Sequence, residues 1–117
     1  MYNIIDNTNK GEIKMPRIVV RGMKKEDLKE VSGEFLSNIE KIIERPKNAF
    51  TLEGLESVAV FDGEEVSQVY VEVSWVNRPT EVCKEVAESI SSLLKTKGYE
   101  KVYVYFKDID LEKEFVF

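Results

Sequence analysis

Cys83 is the only thiol in this sequence. It stands near the start of an apolar-striped segment, and a helix N-terminus favours the reactive thiolate wherever the sulfur faces solvent. The commoner fate of a lone cysteine is that of a small buried hydrophobe. With 0 histidines in the chain there is no imidazole to activate that thiol. His-based dyads and triads and the usual zinc sites are therefore excluded, and one cysteine closes no internal disulfide. The paired carboxylates Glu64-Glu65 and Glu112/Glu114 fall in a turn and in the tail. They read as solvated charge rather than as a hydrolytic pair or a metal site. No cofactor is expected.

A chain of 117 residues with 43% hydrophobic content suits one domain with one core. Lysine and arginine total 17 against 22 acidic residues, a net charge of −5, and no basic run offers itself to a phosphate backbone, so nucleic acid is not an expected partner. Met1–Lys14 is polar and asparagine-rich, without the apolar stretch of a signal peptide, and no later window reaches membrane-spanning length. No membrane partner is expected, and the reading is of a cytoplasmic protein.

The elements that would position any chemistry follow from periodicity. Arg17-Ile18-Val19-Val20-Arg21 is short and β-branched after Pro16, which suits a first strand. Leu28, Val31, Phe35, Ile39 and Ile42 form one apolar face of a helix from Lys25 to Ile43, stopping before Pro46. Phe50-Thr51-Leu52 and Ser57–Phe61 read as extended, Asp62-Gly63 as a turn, and Val66–Val76 as a further extended run. Within that run Val69, Val71, Val73 and Trp75 alternate with Tyr70, Glu72 and Ser74, the period of a two-faced sheet. After Pro79, the stripe Val82, Val86, Ile90, Leu93 and Leu94 predicts a second helix closed by Gly98. A last strand, Val102–Phe106, precedes a tail whose Phe115-Val116-Phe117 is apolar enough to dock, on the chain itself or on a neighbouring subunit.

At an offset of 55 residues Glu26, Lys29, Glu30 and Val31 fall on Glu81, Lys84, Glu85 and Val86, which suggests an internal duplication. The expected fold class is α+β: two β-α-β units, about residues 16–62 and 66–108, making a four-stranded sheet with both helices on one face, followed by a tail over 109–117. The same element order also suits a ferredoxin-like βαββαβ domain, because sequence does not fix strand order. The uncovered sheet face would carry Tyr70, Glu72, Ser74, Tyr103 and Tyr105. Such a face is aromatic enough to call for further copies of the chain around a symmetry axis, although an antiparallel sheet also tolerates a solvated face.

The order β-α-β, β-α-β, the pairing of the halves, and Met15-Pro16 leading directly into the first strand resemble the tautomerase superfamily, which includes 4-oxalocrotonate tautomerase and macrophage migration inhibitory factor. Within it, Met15–Gly22, Phe50-Thr51-Leu52-Glu53, Phe61–Glu65 and Val71–Trp75 are most similar to a bacterial family of unknown function. The resemblance runs from Met15 to about Asp108. It implies a homotrimer, a small carboxylate-bearing 2-keto acid substrate, and keto-enol tautomerisation with an amino-terminal proline as general base, for which the matching position is Pro16. A free α-amino group has a pKa of ~8, and cations or burial lower it until the neutral amine accepts a proton at neutral pH. An internal proline nitrogen is an amide and has no such lone pair.

The resemblance further implies that Arg78, in Asn77-Arg78-Pro79-Thr80, holds a substrate carboxylate or polarises a carbonyl oxygen. Asn77 replaces the family's glycine, and the matching place in the first unit is Met23 rather than arginine. Arg17 and Arg21 are candidates to depress the Pro16 pKa and bind substrate, and Tyr105 or Tyr70 to donate to an enolate. Two starts stay open. Lys10-Gly11-Glu12 is compatible with a purine-rich ribosome-binding site misread as protein, which would make residues 1–14 a leader and Met15 the initiator; equally, these are three ordinary surface residues. With a Met1 start, the alternative is a non-catalytic oligomer, either a ligand-binding or a structural protein of the same fold.

Overall fold

The computed structural model describes residues 14–117. The leader reading, apart from Lys14, lies outside the described residues. Strand β1 (Arg17–Arg21) buries Ile18 and Val20 on one face, as its alternation requires, and leads through Gly22 into α1 (Lys25–Ile43). Helix α1 buries Leu28, Val31, Phe35 and Ile39 and ends where Glu44 turns left-handed (φ 55°), ahead of Pro46. The chain returns as β2 (Thr51–Leu55). A hairpin of β3 (Ala59–Phe61) and β4 (Glu64–Val66) follows, turning at Asp62-Gly63, where both residues have positive φ as such a tight turn demands. The second unit comprises β5 (Val69–Trp75), α2 (Thr80–Lys95) and β6 (Val102–Asp108).

The four long strands lie in the order β2-β1-β5-β6. Strands β1 and β2 are parallel, β5 and β6 are parallel, and β1 joins β5 antiparallel with Ile18 opposite Val73 and Val20 opposite Val71. Each β-α-β unit thus keeps its own strands adjacent, which is the tautomerase layout. A ferredoxin-like domain would interleave them as a split β-α-β. The first unit closes at Leu55, so the hairpin over residues 59–66 stands between the two units as a separate two-stranded piece.

Both helices cover one face. Val31, Phe35 and Ile39 of α1, with Val86, Ile90 and Leu94 of α2, pack onto Ile18, Val20, Val69, Val71, Val73 and Trp75. These helical residues match in pairs at the 55-residue offset, and the helices themselves start 55 residues apart, at Lys25 and Thr80. The 55-residue offset therefore holds for the buried stripe as well as for the surface charges. A second tie links the units: the Tyr99 hydroxyl donates to Asp27 and accepts the Lys24 backbone N–H at 3.0 Å. Burial, and then the hydrogen bond to Asp27, raise the Tyr99 phenol above its ordinary pKa.

Gly22 makes the turn from β1 into α1 with φ +97°, and a Cβ there would stand 2.4 Å from the Gln68 carbonyl oxygen. Left-handed strain and a backbone clash would both follow. Gly22→Ala is expected to lower unfolding free energy by about 3 kcal/mol in urea denaturation; a loss below about 1 kcal/mol would mean that the β1–α1 turn is not built this way.

Candidate active site

In a β-α-β unit the helix runs back against the strands, so the segment after it returns to the end of the sheet where the unit began. The antiparallel junction of the two units adds the far end of β5 to that place. Consequently the starts of β1 and β2 meet the ends of β5 and β6, with Arg17 opposite Thr51 and Ser74, and Ser74 opposite Lys107. Pro16, one residue before Arg17, lies at this end. Its side chain is fully buried and its carbonyl accepts the Thr51 N–H at 3.2 Å.

Three arginines reach the same end by different routes. Arg17 projects from the first position of β1, donating to the Lys14 carbonyl at 2.9 Å and pairing with Glu114 of the tail. Arg45, in the connection after α1, donates from Nε to the Met15 carbonyl oxygen at 2.8 Å. Arg78, just before α2, folds back over Trp75 with its guanidinium carbon 5.2 Å from the ring centroid, and Trp75 stacks in turn on Phe106 at 5.0 Å. The tail crosses close by, since the Ile109 N–H donates to the Trp75 carbonyl at 2.7 Å. Cys83 is partly buried against the core, its sulfur 3.9 Å from the Arg78 carbonyl.

The other candidates are elsewhere in the single chain. Arg21 shares the open face of the sheet with Arg17 but stands four residues away at the far end of β1, about 13 Å along a regular strand. Tyr105 is 67% exposed on that open face, opposite Glu72, whereas Pro16 is buried on the other side. Tyr70 and Tyr103 stack with ring centroids 4.7 Å apart, and Val19, Arg21, Tyr70, Glu72 and Tyr105 line a shallow depression. Phe115 and Phe117 of the tail are exposed in the single chain.

Arg45 was not among the residues singled out from sequence, although the signal existed. Once a β-α-β unit is read, the residues between its helix and its second strand must return beside the start of its first strand.

Adjacent parallel strands in each half and an antiparallel junction between the halves define the tautomerase-like fold class. Comparison with solved structures agrees. A macrophage migration inhibitory factor-like protein from Entamoeba histolytica superposes with TM-score 0.73 at 17% identity, covering 88% of this chain and 96% of that one. A fused 4-OT solved as a symmetric trimer gives 0.71 at 16% identity, covering 86% and 91%. At such identities the likeness is one of fold. Within the class, the chain belongs to the family described as a domain of unknown function, DUF1904, which matches residues 15–115. A DUF1904 crystal structure from Sebaldella termitidis has TM-score 0.80 and 28% identity, covering 87% of this chain and 95% of that one. No curated protein matches the sequence.

Proposed function

We propose that this protein is a cytoplasmic, self-associating enzyme of the proline-base type, which interconverts the keto and enol forms of a small 2-oxo acid and whose mature chain begins at Pro16. The observation that carries this reading is the bond from Arg45 Nε to the Met15 carbonyl oxygen. That carbonyl belongs to the acyl group that makes the Pro16 nitrogen an amide. A chain beginning at Pro16 lacks it, so the nitrogen becomes a secondary amine and the Arg45 guanidinium loses its acceptor beside that amine. A neighbouring cation disfavours the ammonium form and leaves more neutral base at pH 7.

The chemistry then needs one proton transfer each way. The Pro16 nitrogen takes a proton from the carbon next to the keto group, the C–H electron pair becomes the new C=C bond, and the carbonyl electron pair moves onto oxygen. Guanidinium groups offset the charge that develops there. Returning the proton to that oxygen completes the enol. Arg78, Arg45 and Arg17 supply forked donors that suit a carboxylate. Arg21 and Tyr105 serve the site of an adjoining copy or the contact between copies, because they lie on the open face. The intact mass of the protein made from its native gene, with its own upstream sequence, tests the reading. A mass starting at Pro16 supports it, and one starting at Met1 leaves the nitrogen acylated and sinks it.

The second reading is a non-catalytic homotrimer of the same fold. It is favoured by the burial of Pro16 with Met15 in place, and it shares the open face as the contact between copies. The stacked Tyr70 and Tyr103, with exposed Tyr105, form an apolar strip that a symmetric neighbour would cover. Tyr103→Glu puts a charge in the middle of that strip and is expected to turn a trimer into a monomer at micromolar concentration in light scattering. An unchanged mass would remove this face from the assembly.

A further inference from the structure

A buried N–H donor without an acceptor is rare in a folded protein, because it has given up water and received nothing. Among the described residues two buried side-chain nitrogens lack a partner, Trp75 Nε1 and Arg78 Nε, and they belong to one stacked contact. Both are donors only, so neither satisfies the other. Trp75 is 1% exposed, which keeps solvent from the indole N–H, and Phe106 on the ring offers no acceptor. None of the ion pairs among the described residues involves Arg78. The spot thus has one full positive charge and two donors, neither of them bonded to an acceptor among the described residues, and its complement is an anionic oxygen.

We infer that the Trp75 indole N–H and the Arg78 Nε–H form a two-donor clamp for one carboxylate of a small organic acid. The inference takes the identity of that acid from the function proposed above, but it does not depend on Pro16 acting as a base. Access requires one movement. Arg78 is half-buried in the connection before α2, so its side chain swings off the indole and closes again with the carboxylate between the two donors. Trp75 is then a binding residue with a specific polar contact and not only a core aromatic.

The test is titration calorimetry with 2-oxopentanoate on the wild-type protein, Trp75→Phe, Arg78→Lys and the double variant, with thermal unfolding of each as a check on folding. The wild type is expected to bind, and each single variant to bind about tenfold more weakly, the usual scale for losing a hydrogen bond to a charged group. The double variant should lose less than the product of the single losses, because both donors hold one group. Equal affinity in Trp75→Phe and wild type, fully multiplicative losses, or no binding by the wild type would each overturn the clamp. Should Trp75→Phe fail to fold, the wild type reports on itself, since Trp75 is the only tryptophan. Its emission should shift as the acid saturates, and a constant emission overturns the inference. Turnover is not read, so a protein that binds through both donors and catalyses nothing keeps the clamp while losing the proline-base reading.

Discussion

Pro16→Ala, in protein whose chain begins at residue 16, is expected to slow keto-enol exchange of a 2-oxo acid by about a hundredfold or more, the range in which a positioned general base contributes. The loss arises from geometry as much as from basicity. Proline's ring holds its nitrogen at one angle to β1, where the Thr51 N–H already fixes the Pro16 carbonyl at 3.2 Å, whereas an alanine amine rotates freely. Retaining Met15 should abolish exchange outright, because an amide nitrogen has no available lone pair. Exchange measured by deuterium incorporation in NMR separates the cases. For the active form the rate should rise with pH and level off below the ordinary α-amino pKa of ~8, since the neutral amine is the working species and neighbouring cations disfavour its protonation. Full exchange activity in Pro16→Ala would remove Pro16 from the mechanism.

Phe35→Ala is expected to be among the most damaging single truncations in the core. The ring is 1% exposed in the middle of α1 and belongs to the cluster that holds both helices on the sheet. Truncating a buried phenylalanine costs about 3–5 kcal/mol through lost transfer energy and the cavity left behind. A domain of this kind holds only about 5–15 kcal/mol in total. Guanidinium denaturation should therefore show a midpoint reduced by about a fifth or more. A midpoint within error of the wild type would mean that α1 does not pack on the sheet through this face.

Local patterns in the chain were enough for the elements and for much of the fold class. The apolar stripe of α1, with Pro46 after it, specified a helix over Lys25–Ile43, and the matching stripe 55 residues on specified α2. Asp62-Gly63 specified a tight turn, although its strands form a separate hairpin instead of closing the first repeat. Alternation in Val69–Trp75 divided one face from the other correctly: Val69, Val71, Val73 and Trp75 are buried and Tyr70 is open. These signals are legible because helix and strand periods depend on the residues themselves and their near neighbours.

Strand order was different, because a period of two tells which way a side chain points and not which strand lies beside it. The antiparallel pairing of β1 with β5, rather than any residue in either strand, excludes the ferredoxin-like alternative and brings Trp75 and Arg78 to the end of the sheet that holds Pro16. Arg21 stands at the far end of β1, and the β5–β6 register puts Tyr105 on the opposite face, although sequence alone grouped both with Pro16. Arg45 meets the Met15 carbonyl across 30 positions of chain because the crossover returns α1 to the start of β1. Local periodicity encodes the elements and their buried faces, and the proline at the head of the first strand is plain in the chain. Which charges and donors share its end of the sheet follows from long-range pairing, which selects neighbours that no local period encodes.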